Sequence, residues 1–133
     1  MKQFSFAFFL VVSFIATALC AEQNWAGEYT DKHFLNGKAV FQLSIEQGGG
    51  KIQVSFDAVH NDGHGCAPEA VGLGSVSKSG ALQFKWEDSF KNKGTGTITR
   101  SGNDIIVSIK PIRVTNSRCL EFYRQNIQLK RVK

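Results

Sequence analysis

The chain has 133 residues, 42% of them hydrophobic, with 16 Lys and Arg against 11 Asp and Glu and a net charge of +5. That length is enough for one domain with its own core, and the apolar share excludes a disordered polyelectrolyte. The modest basic excess, without a dense basic and aromatic face, argues against a nucleic-acid binder.

Residues 1–20 read as a secretory signal. Met1-Lys2-Gln3 is a short basic start, and Phe4–Leu19 is an apolar run. No basic stop-transfer cluster follows it, which favours cleavage over a membrane anchor. Cleavage after Ala18, Cys20 or Ala21 is compatible with the small side chains there. A lipoprotein reading would acylate Cys20, but Leu19 is larger than that processing prefers. Cleavage after Cys20 leaves residues 21–133 as a single β-domain with no stable membrane span. None of the seven asparagines lies in an Asn-x-Ser/Thr sequon, in keeping with a bacterial envelope or exterior. The expected location is periplasmic or secreted. Cys66 and Cys119 are then an even pair in an oxidising compartment, and one disulfide is predicted.

The mature chain alternates with period two and shows no long helical period. Asn24–Thr30 sets Trp25, Gly27 and Tyr29 against Ala26, Glu28 and Thr30. Asn24-Trp25-Ala26-Gly27-Glu28-Tyr29 resembles the opening strand of small exported barrels, lipocalin-like and avidin-like ones among them, and the resemblance implies no ligand. Ala39–Gln47 and Lys51–Val59 flank Gly48-Gly49-Gly50 and predict a hairpin with one buried face. Residues 60–74, with four glycines, one proline and Cys66, read as a long loop. A short strand at Gly74–Ser79 follows, and Ala81–Glu87 places Leu82, Phe84 and Trp86 on one face. Asp88–Lys93 reads as a polar turn. Gly94–Arg100 and Ile105–Lys110 form a hairpin across Ser101-Gly102-Asn103-Asp104. Cys119–Tyr123 and Asn126–Val132 read as one bulged strand. The expected fold is all-β: an up-and-down (meander) barrel of seven to nine strands, or a closely related sandwich.

Chemistry-bearing residues are sparse. His60, Asp62 and His64 could share a metal on an extended backbone, but Asn61-Asp62-Gly63 is a turn signal that breaks the alternation. Cys66 is better placed in the disulfide, and a calcium loop would need acidic residues at fixed spacing. No nucleophile motif is present, no catalytic residue is assigned and no cofactor is expected. Asp57, Asp62, Glu69, Glu87 and Asp88 could converge at one barrel end, where paired carboxylates would suit glycoside cleavage. Residues 110–133 carry seven basic residues against Glu121, a local balance of +6. That quarter could meet an anionic envelope component, or simply keep an edge strand soluble.

Three functions fit. The leading one is an exported, non-enzymatic binding protein of inhibitor or immunity type that presents the loop 59–74 to a protein partner. Its contacts would come from His60, Asp62, His64, Glu69 and Trp86, the last if exposed beside the loop. Against a basic hydrolase of lysozyme type, Asp62 and Glu69 would be the contacts, since the basic C-terminal quarter would repel it. The alternatives are a small-ligand carrier with a cavity among Phe41, Phe56, Phe84 and Ile109, and a metal-binding protein or metal-dependent enzyme using His60, Asp62 and His64.

Overall fold

The computed structural model describes residues 24–133, so the predicted export signal over residues 1–20 lies outside the described residues. Eight antiparallel strands follow one another around a closed barrel: β1 (Gly27–His33), β2 (Ala39–Gly48), β3 (Lys51–His60), β4 (Glu69–Val76), β5 (Leu82–Asp88), β6 (Lys93–Ser101), β7 (Asp104–Arg113) and β8 (Ile127–Arg131). The meander reading holds, and closure decides for a barrel over a sandwich. Each strand pairs with the next, and β1 closes on β8 through Tyr29 opposite Arg131 and Thr30 opposite Lys130. Among the described residues no helix is long and apolar enough to cross a membrane.

Period-two alternation explains the core. Phe41, Leu43 and Ile45 from β2 meet Val54, Phe56 and Ala58 from β3, and all are buried. The Phe41 and Phe56 rings stack at 5.5 Å between centroids, and Phe56 meets Trp86 edge-on at 5.4 Å. Room for these rings comes from glycine. Phe84 lies opposite Gly96 and Trp86 opposite Gly94, so a side chain at either glycine would run into the ring beside it. At the N-terminal end of the barrel, the Arg100 guanidinium covers the Trp25 ring at 4.4 Å.

Two segments depart from the sequence expectation. The stretch read as the loop 60–74 is about half strand: β3 runs to His60 and β4 begins at Glu69, so the connection is residues 61–68. β4 escapes the pattern because its inward positions are Ala70, Gly72 and Gly74, which carry no apolar bulk, whereas Val71 and Leu73 face outward. Gly72 is required there, since a Cβ would meet the Lys85 carbonyl of β5. The second departure is Cys119–Tyr123, read as strand, which belongs to a 3₁₀ helix over Ser117–Phe122. Cys119 and Phe122, three residues apart, share its buried face, and the Asn116 carboxamide caps it by accepting from the Arg118 amide at 3.0 Å.

Candidate functional site

The turn after β1, the β3–β4 loop, the β5–β6 turn and the β7–β8 crossing all open at one end of the barrel, as a meander requires. This capped end holds most of the residues singled out from the sequence. The disulfide Cys66–Cys119 joins the β3–β4 loop to the 3₁₀ helix, with the two Cα atoms 5.3 Å apart.

The loop 61–68 is held at several points. The Asn61 amide donates to the Lys38 carbonyl at 2.9 Å, and its side chain donates to the Gly37 carbonyl at 2.6 Å. Asp62 accepts from the His64 amide at 2.9 Å, the Asx-turn that its sequence context predicts. The Ala58 amide donates to the Pro68 carbonyl at 3.1 Å, closing the loop's far side. His60 pairs with Glu121 of the 3₁₀ helix at 2.6 Å and packs on the Phe122 ring at 5.0 Å. The residues between these anchors, Asn61–Gly65 and Ala67, stay exposed. The loop is thus constrained in backbone and open in surface.

His60 is committed to Glu121, while Asp62 is turned onto its own loop. Among the described residues no group of three or more His, Cys, Asp or Glu side chains is arranged to hold a metal ion. Trp86 is a core side chain, 3% exposed, because β5 alternation carries it inward with Leu82 and Phe84. Its indole N–H donates to the Thr95 carbonyl at 2.9 Å, so it offers no surface to a partner. Glu69 opens β4 at the rim of the capped end, directly opposite Asp57 of β3.

The carboxylates do not converge on one point. Glu87 faces Lys93 at 3.7 Å on the outer wall. Asp88 continues the inward alternation of β5 and is buried, where it builds a network absent from the sequence reading. It accepts from the Phe90 and Asn92 amides at 3.0 and 2.9 Å, from the Asn92 side chain at 3.1 Å, and from the Tyr123 hydroxyl. Asn92, fully buried, accepts in turn from the Thr115 and Asn116 amides at 2.7 and 2.9 Å. Burial, and then the hydrogen bond to Asp88, hold the Tyr123 phenol well above its ordinary range. These bonds satisfy buried polar groups and fix the β7–β8 crossing over the barrel mouth. The signal was present in the sequence: Asp88 sits at the next inward position after Leu82, Phe84 and Trp86.

Inside the barrel, Phe41, Phe56, Phe84 and Ile109 are all buried, and Phe84 lies 6.5 Å from Phe56 between ring centroids. Open grooves run on the outer wall, one of about 510 Å³ beside Asp57, Glu69 and Val71 and one of about 350 Å³ beside Leu73 and Lys85. Comparison with protein-family models, curated proteins and solved structures finds no match to the chain.

Proposed function

We propose that this chain is a non-enzymatic binding protein of the bacterial periplasm or exterior, of inhibitor or immunity type. It presents the capped end of its barrel to a protein partner. The observation that carries the reading is the β3–β4 loop, exposed from Asn61 to Gly65 yet tied by the Cys66–Cys119 disulfide and by hydrogen bonds on both flanks. A surface ordered before binding loses little conformational freedom on association, which favours affinity. The disulfide is compatible with an oxidising compartment. The aromatic packing across the barrel directs attention to the outside of the molecule rather than its interior.

Asp62 and His64 are the loop's exposed functional side chains. Affinity capture from envelope extract, with wild type and an Asp62→Ala/His64→Ala variant compared by mass spectrometry, tests the role. A partner retained by wild type and lost by the folded variant is the expected result. Identical retention by both would remove the loop from the contact.

A further inference from the structure

The outer wall formed by β3, β4 and β5 has a composition that folding does not require. Val71 and Leu73 point outward from β4 and are 52% and 65% exposed. The outward neighbours on the flanking strands are polar: Gln53, Ser55 and Asp57 on β3, and Gln83, Lys85 and Glu87 on β5. An outward β-strand position facing water ordinarily takes a polar residue, so two adjacent large apolar side chains mark this strand out. They stand between the two outer-wall grooves, with Val71 on one and Leu73 on the other.

Two carboxylates on the same wall stand without a cation. Asp57 is the direct ladder partner of Glu69, and like charges placed opposite each other destabilise a sheet. Among the described residues neither carboxylate has a cation within ion-pair distance. Burial, with Glu69 adding to it, raises the Asp57 carboxyl above its ordinary value. Glu87, opposite Val71, adds a third carboxylate, this one paired with Lys93. This acidic border belongs to a chain whose net charge is +5.

We propose that the β3–β5 wall is the docking surface for a protein partner that carries Lys or Arg around an apolar patch. Val71 and Leu73 cover the partner's apolar centre, and its cations meet Asp57 and Glu69. The apolar pair favours a protein over a free cation, and the paired carboxylates select a basic partner over an acidic one. The proposal rests on the reading of the chain as a protein-binding barrel, but not on loop 61–68 making the contact. Glu69, at the rim of the capped end, is where the two surfaces would join.

The test uses the oxidised domain and defined probes. Lysozyme, cytochrome c and ribonuclease A serve as basic proteins, with α-lactalbumin as an acidic one. Binding is followed at low salt by calorimetry and by methyl shifts of Val71 and Leu73. Because the domain is itself basic, unspecific electrostatics disfavours the basic probes, which makes their binding diagnostic. The expected result is that a basic probe binds and shifts both methyl groups, and that α-lactalbumin does not. Glu69→Gln and Leu73→Ser should each weaken that binding by about tenfold, the loss typical of a central contact. Asp57→Asn relieves the like-charge pair, so weaker binding by that variant cannot be put down to unfolding. If no basic probe shifts Val71 or Leu73, or if binding survives Glu69→Gln and Leu73→Ser, the proposal is overturned. Self-association of the free domain through this wall would also overturn it, in favour of a second copy. Loss of probe binding only in Asp62→Ala/His64→Ala would keep the loop and remove the wall, and the opposite pattern would do the reverse.

Discussion

Two side chains show how differently a carboxylate behaves on the two faces of one wall. Asp57 sits half-buried opposite Glu69, with its protonated form favoured by desolvation first and by Glu69 second. A carboxyl whose value is raised on folding holds its proton longer in the native state than in the unfolded chain. Stability therefore falls as pH rises from the ordinary value of 3.8 through the raised one. Asp57→Asn should raise the thermal midpoint at pH 7, and the gain should vanish below about pH 3, where both states are protonated; scanning calorimetry across that range checks it. Asp88, on the inward face, is surrounded by hydrogen-bond donors. Asn92 links it to the β7–β8 crossing through the Thr115 and Asn116 amides. Asn92→Ala would leave those donors and Asp88 short of partners in a dry site. The expected cost is about 3 kcal/mol in urea unfolding, against about 1 kcal/mol for a surface control such as Asn103→Ala at most.

At the scale of strands, the sequence was legible wherever the apolar residues sat on the inner face. The hairpin of β2 and β3 across Gly48-Gly49-Gly50 follows directly from alternation and a glycine turn, and the pair β6 and β7 likewise. β4 was not legible because its pattern is inverted, with small residues inward and apolar ones outward. The cause is crowding: the Lys85 backbone presses against Gly72, and the Leu82 side chain lies against Gly74. The same inversion exposes Val71 and Leu73, so the residue pattern that hid the strand also marks its outer surface. Trp86 was legible as an inward residue, on one face with Leu82 and Phe84, and the register of β5 removes the alternative of an exposed contact. The 3₁₀ helix was missed because Cys119 and Phe122 satisfy a spacing of three as readily as they break one of two. The aromatic-over-glycine pairing makes a coupled prediction. Gly96→Ala should cost about 2 kcal/mol by overpacking against Phe84. Combining it with Phe84→Leu should cost less than the two changes added together, by about 1 kcal/mol, in a double-mutant cycle.

Across the whole molecule, the disulfide is the covalent constraint at the capped end. It closes a separation of 53 residues, from the β3–β4 loop to the 3₁₀ helix that precedes β8. Restricting an unfolded loop of that size stabilises the fold by about 4 kcal/mol in the chain-entropy account. Cys66→Ala/Cys119→Ala should lose roughly that amount in urea unfolding. Thiol titration of the denatured, unreduced wild type should find neither cysteine free; finding both free would remove the bond and the rigid loop with it. His60–Glu121 and the Asn61 bonds tie the same loop, so the double variant should keep the barrel while loosening residues 61–68.

Closure of the sheet carries a consequence for recognition. Many small β proteins capture a neighbour by lending it a strand, using a row of main-chain groups left idle at the sheet's border. Here β8 returns to β1, with the Glu28 amide bound to the Lys133 carbonyl and the Val132 amide to the Glu28 carbonyl, so that border is already occupied. A partner of the kind proposed would therefore have to be met by side chains and loops, with residue identity rather than strand pairing setting the selectivity.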